Sequence, residues 1–138
     1  MKYEVKTSWK GKMAFDSQID EHTVRTDSKP PLGDSSGPSP KKILLASLAG
    51  CTGIDVVSLL EKMRVPITNL EIDTEADLTE EHPKVFSEIR IIYRVFGKDL
   101  KKKKIEKAIN LSKDKYCGVS AMLAANSPIK YMIEYVEE

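Results

Sequence analysis

Histidine is scarce in this chain, with His22 and His82 alone, and cysteine is equally scarce, with Cys51 and Cys117. Neither pair has the spacing of a zinc site, so the sequence leads to no expectation of a metal. A glycine-rich phosphate loop is absent, which removes the common nucleotide-binding reading. A cysteine–histidine hydrolase built on His22 has no motif around that histidine to mark it as a base. Charge of one sign is not in excess: 22 Lys and Arg face 21 Asp and Glu, for a net +1. No global field therefore favours nucleic acid or an anionic membrane. The first residues, Met1-Lys2-Tyr3-Glu4-Val5-Lys6, carry no apolar h-region, so no signal peptide is expected. The longest apolar stretch, 43–60, is broken by Asp55 and several small polar residues, whereas a membrane span needs about 20 mostly apolar residues. The expectation is a cytoplasmic protein without membrane or nucleic-acid partners, in a compartment where structural disulfides are rare.

What remains fits one α+β domain over residues 1–138, long enough to bury a core. Tyr3, Val5, Thr7 and Trp9 alternate with polar residues, the period of a half-buried strand. Met13 and Phe15 mark a second strand, and His22, Val24 and Thr26 a third. The connection 27–38 is rich in Pro, Gly, Ser and Asp and long for a small domain, which favours a functional or partner-contacting loop. Ser39-Pro40 then starts a long helix, N-cap followed by proline at the first helical position, running to about residue 64 before Val65-Pro66 stops it. Its middle is apolar almost all round, so it should be buried on most faces, and a second subunit is needed to complete the cover.

Leu70, Ile72, Thr74 and Ala76 alternate with acidic residues. In the next strand Val85, Ile89, Ile91, Tyr93 and Val95 oppose Glu88, Arg90 and Arg94. Ion pairs across an antiparallel sheet are expected between the two. A helix over 99–115 opens on the lysine run 101–104, at the end where the macrodipole disfavours cations. Without interleaved aromatics that run reads as an exposed polar face. A short helix from Cys117 to about residue 125 and a strand from Ile129 to Tyr135 complete the order βββ-α-ββ-α-α-β, grouped as in α+β folds with antiparallel pairing.

The chemistry falls to the two thiols. A thiolate that attacks a peroxide becomes a sulfenic acid, and a second thiol converts this to a disulfide. At an ordinary pKa of about 8.5 only a few per cent of a thiol is ionised at pH 7, and burial lowers that fraction, so a reactive buried cysteine needs a cation nearby. Cys117, at a helix N-terminus, gains from the free amides. Cys51, in mid-helix, does not.

At these positions the chain resembles the OsmC/Ohr superfamily, the osmotically inducible and organic hydroperoxide resistance proteins. The likeness rests on Gly37-Pro38-Ser39-Pro40, on the long helix with Gly50-Cys51-Thr52, and on Tyr116-Cys117-Gly118-Val119-Ser120. Gly-Cys-Thr followed by Asp55-Val56-Val57 is similar to the OsmC-like branch. The resemblance implies an OsmC-like fold and an intertwined homodimer with two sites at the subunit interface. It implies a thiol-dependent hydroperoxide reductase in oxidative stress defence, with no cofactor and no metal. Cys51 would be the peroxidatic thiol and Cys117 the resolving one, with a small hydroperoxide as substrate and an external dithiol as reductant. Family peroxidases activate the first cysteine with an arginine held by a glutamate ten positions before it. That position is Lys41 here, and Arg25 is the candidate activator. Two alternatives stand beside this reading: a non-catalytic protein of the same fold that binds a small apolar molecule, and a thiol reaction at Cys51 with an electrophile other than a peroxide.

Overall fold

The computed structural model describes residues 1–138 throughout. The chain forms two compact units, Met1–Leu44 and Leu45–Glu138. In the first, β1 (Lys6–Trp9), β2 (Phe15–Ile19) and β3 (His22–Thr26) make an antiparallel meander in chain order. The turn between β1 and β2 uses Gly11 and Lys12, both at positive φ, with the Lys10 amide donating to the Ala14 carbonyl at 2.8 Å. β1 starts three residues later than the alternation predicts, and all four of its residues are exposed rather than half-buried. Trp9 is 66% exposed. The alternation is real, but a single small sheet has no second layer of its own for that face.

The loop after β3 is organised by one carboxylate. Asp27, itself buried, accepts hydrogen bonds from the Ser28 amide at 2.7 Å, the Ser36 amide at 3.0 Å, the Ser36 hydroxyl at 2.6 Å and the Asp34 amide at 3.3 Å. A Cβ on Gly33 would collide with the Asp27 carboxylate and the Ser28 carbonyl oxygen. The loop therefore folds back over its own anion, and glycine is required where the backbone comes closest.

α1 (Pro40–Lys62) starts just before the boundary between the units. Ser39 caps it, its hydroxyl accepting from the Lys42 amide at 3.4 Å. It ends two residues before the predicted stop, where Arg64 takes φ 57°. By length and composition it could cross a membrane. Its actual setting is a core: Leu48, Val56 and Leu60, spaced by four and eight residues along one stripe, lie in the hydrophobic cluster of the second unit, and Thr52 is buried between them. Each such aliphatic side chain stabilises the fold by about 1.5–3 kcal/mol. The other faces are less covered than the sequence predicts. Ile54 is 73% exposed, and Leu44 and Val57 are also open. One chain of this size buries a stripe of the helix and no more.

The second sheet has the order β4-β5-β6, from β4 (Asn69–Leu78), β5 (Phe86–Gly97) and β6 (Ile129–Glu137). β4 and β5 are antiparallel. β6 departs from the expected all-antiparallel pairing and lies parallel to β5. The helical crossover between the two strands explains it, because it returns the chain to the end where β5 began. The crossover consists of α2 (Lys102–Leu111), a π-helical turn (Ser112–Tyr116) and α3 (Gly118–Ala124). The predicted continuous helix to residue 115 is thus interrupted at Ser112.

Along β5 the alternation holds. Ile89, Ile91, Tyr93 and Val95 are fully buried, while Arg90 pairs with Glu75, Asp77 and Glu88, and Arg94 with Glu71, Asp73 and Glu134. The expected cross-strand ion pairs are present, with Glu71 opposite Arg94 and Glu75 opposite Arg90 in register.

The Asp27 cage yields a pH prediction. Its hydrogen bonds, led by that from the Ser36 hydroxyl, lower the carboxyl pKa to about 2, against about 3.9 unfolded. The folded value is depressed, so the contribution to loop order is complete above pH ~4 and is lost as the pH falls towards ~2. Protease cleavage within 28–36 is expected to rise through that interval. Asp27→Ala is expected to show the same cleavage at neutral pH.

Candidate active site

Helical spacing places the first part of the site. Cys51 and Asp55 are four residues apart on α1 and share one face. Thr52, one residue on from Cys51, belongs to the buried stripe instead. Cys117 arrives from the other side of the crossover. The π-turn ends with the Cys117 amide donating to the Ser112 carbonyl at 2.8 Å. Cys117 then leaves the helical region with ψ 101° and caps α3, its sulfur accepting from the Ser120 amide at 3.4 Å. The expected position at a helix N-terminus is therefore observed. The result is that one donor atom from each of Cys51, Asp55 and Cys117 lies within 4.8 Å of the others. Both thiols are free. Sixty-six residues of sequence separate two sulfurs that the fold brings within 4.8 Å of each other.

Beneath these groups runs a buried chain of hydroxyls. Tyr93 and Thr52 are 2.7 Å apart, Thr52 and Ser112 are 2.8 Å apart, and Ser112 donates to Asp55 Oδ2 at 3.0 Å. The direction follows from proton counting. A carboxylate can only accept, so Ser112 spends its one proton on Asp55 and must accept from Thr52, which in turn accepts from Tyr93. All three hydroxyls thus point their protons toward the carboxylate, and each link polarises the next.

The electrostatics differ between the groups. Burial pushes the Cys117 thiol above its ordinary pKa. The Ser120 hydroxyl and amide oppose this, and neighbouring Cys51 adds to the rise. Burial also raises the Tyr93 phenol, against the hydrogen bond to Thr52. The Ser120 hydroxyl is buried near enough to the Cys117 sulfur to favour its thiolate, but it makes no well-formed hydrogen bond. Arg90 and Arg94 lie on the opposite face of β5 from Tyr93 and are held by carboxylates. Arg25, the sequence candidate for the activating cation, belongs to the first unit, where its guanidinium forms a two-pronged pair with Asp16 at 2.6 and 3.0 Å.

Of the residues singled out from sequence, Cys51 and Cys117 come together. Asp55, Thr52, Ser112 and Tyr93 were not anticipated as site residues. The Asp55 signal was available, as a carboxylate four residues after a cysteine in an otherwise apolar helix. The three hydroxyls had none, because a buried Thr, Ser or Tyr has no periodicity that distinguishes it from filler.

Known proteins resemble this chain along most of its length. Residues 33–132 match the family model described as OsmC-like protein. Protein YhfA of Escherichia coli K12 is 38% identical over 104 residues, covering 75% of this chain and 77% of that protein. A hypothetical protein from Aquifex aeolicus VF5 superposes with a TM-score of 0.90 at 30% identity, covering 100% of this chain and 98% of that one. The organic hydroperoxide resistance protein OhrB of Bacillus subtilis shares the fold, with a TM-score of 0.70 at 18% identity and coverage of 96% and 98%. The match spans the helix of Cys51 and the cap of Cys117 alike, and the chain belongs to the OsmC-like family.

Proposed function

We propose that this protein is a thiol-dependent hydroperoxide reductase acting in peroxide defence in the cytoplasm, with Cys51 peroxidatic and Cys117 resolving. The observation that carries the reading is the approach of the two thiols to within 4.8 Å. Membership of a family whose structural relatives include organic hydroperoxide resistance proteins supports it. The Cys51 thiolate attacks the outer peroxide oxygen, the O–O bond breaks, and the leaving alkoxide takes a proton to become the alcohol. The Cys117 thiolate then attacks the sulfenic sulfur, the S–S bond forms, and the hydroxyl leaves as water. An external dithiol reduces the disulfide and closes a two-electron cycle.

The activating cation is assigned to Arg25. An arginine fixed by a carboxylate is a preorganised planar charge, which Lys41, flexible and strongly hydrated, is not. Asp16 supplies that carboxylate. The active form is a homodimer, because both units leave apolar surface open: Trp9 and Phe15 in the first, Ile54 and Val57 in the second. A second reading, storage of a small apolar molecule, has one observation in its favour. An open groove of about 610 Å³ runs along α1, lined by Ala49, Gly53, Ile54, Val57, Leu70 and Ile72.

One equivalent of an organic hydroperoxide added to reduced protein is expected to be consumed with formation of a Cys51–Cys117 disulfide, read by intact mass as a loss of two hydrogens. Unchanged thiols, together with a co-purified apolar molecule in native mass spectrometry, would establish the storage reading instead. In Cys117→Ser the sulfenic acid should accumulate, and Arg25→Ala should slow its formation. Because Cys117 titrates above the ordinary thiol range, its thiolate is the minor form at neutral pH. The disulfide-forming step should therefore accelerate about tenfold per pH unit from pH 7 until the pKa is reached. Light scattering is expected to give twice the 15.5 kDa chain mass, and Ile54→Asp with Val57→Asp should shift it towards the monomer.

A further inference from the structure

The carboxylate of Asp55 is not explained by peroxide chemistry. Three buried hydroxyls are nevertheless lined up to hold it beside two thiols. A cation gives that arrangement a use. We propose that Cys51, Asp55 and Cys117 form a binding site for a thiophilic divalent metal, with Zn²⁺ as the ion it fits best, leaving one coordination position open.

The geometry is close to what zinc needs. Zn–S bonds of about 2.3 Å and Zn–O bonds of about 2.0–2.2 Å in a tetrahedron set ligand atoms about 3.6–3.8 Å apart. The three donor atoms already lie within 4.8 Å of one another, so closure on an ion requires movements of about 1 Å. Two sulfurs and one carboxylate oxygen favour zinc over magnesium or calcium, which prefer all-oxygen shells. The ligands come from rigid positions: two lie one turn apart on α1, and the third caps α3. Ser112 holds Asp55 as an outer partner, a role that fixes ligand orientation in metal sites. In addition, the hydroxyl of Ser120, a residue only 3% exposed and next to the Cys117 sulfur, makes no well-formed hydrogen bond. A buried polar group left without a well-formed hydrogen bond points to a group the site accommodates when filled. On binding, each thiol releases its proton to solvent and coordinates as thiolate, with no change of oxidation state.

The site uses the same sulfurs as the redox cycle, so metal and peroxide compete, but the metal proposal does not depend on peroxide being reduced. Its test uses no peroxide. Reduced protein, kept anaerobic, is titrated with Zn²⁺ against a chromophoric chelator and separately with Co²⁺. One ion per chain is expected. Co²⁺ should give thiolate-to-metal charge-transfer bands and the visible bands of a tetrahedral ion, and Zn²⁺ should protect both cysteines from alkylation. Cys51→Ser and Cys117→Ser should each abolish the charge-transfer pattern of two thiolates. Asp55→Asn and Ser112→Ala, checked for native circular dichroism, should weaken Zn²⁺ by about 10–100-fold. Absence of the charge-transfer bands, binding that survives loss of either cysteine, or an unchanged affinity in folded Asp55→Asn would each overturn the assignment. A failure here leaves disulfide formation with hydroperoxide untouched, since that is read by mass in metal-free buffer.

Discussion

The second unit is tied together at one buried point, the Thr52 hydroxyl. It faces Tyr93 from β5 on one side and Ser112 from the π-turn on the other. Three elements far apart in sequence therefore share a single polar junction inside an otherwise apolar core. Leaving such a group unpaired costs about 1–3 kcal/mol, so the register of α1 against β5 and against the crossover is set by hydrogen bonding as well as by shape. Aliphatic packing alone tolerates small slides of a helix along a sheet. A hydroxyl with two partners at 2.7 and 2.8 Å does not. The separation of Cys51 from Cys117 is a consequence, because each thiol lies within five residues of a member of the junction.

The π-turn has its role here. An α-helix continued through Ser112 would carry the chain on at 1.5 Å per residue along the same axis. The wider turn instead lets the Cys117 amide close on the Ser112 carbonyl and turns the next residue out of the helical region. Ser112 acts twice, through its carbonyl to shape the turn and through its hydroxyl to hold Asp55. Local irregularity of this kind recurs at functional sites, and in this chain it converts one long amphipathic helix into two, with a thiol at the break.

Much of this could be read before any coordinates, and the limits have physical reasons. The helix of Cys51 announced itself through Ser39-Pro40 and its apolar length, and β5 through strict alternation. Both signals are local. The N-cap position of Cys117 was legible because Asn126-Ser127-Pro128 and the following strand pattern left only a short helix there. The parallel direction of β6 was not, since alternation defines faces and carries no direction. The open face of β1 was misread for a related reason: Tyr3, Val5 and Trp9 alternate as though a layer covers them, and alternation reports the preference of a face rather than what lies against it. The site was half-legible. Cysteines stand out by rarity and by family likeness, whereas Ser112, Thr52 and Tyr93 matter through a junction that only folding creates.

The sign of the local charge separates the two chemistries the site can support. Within the second unit, the ionisable neighbour that the fold brings to the thiols is a carboxylate, and the arginines of β5 are turned to the opposite face and paired. Burial disfavours the thiolate of Cys117, and a protonated thiol is a poor nucleophile. Positive charge must be brought in. An arginine brought to Cys51 lowers the barrier to peroxide attack while leaving the sulfur exposed to it. A divalent ion seated between the sulfurs ionises both and occupies the lone pairs that attack would use. The same three donors thus sit between a reactive and a guarded state, and which one prevails is decided by the cation that reaches them.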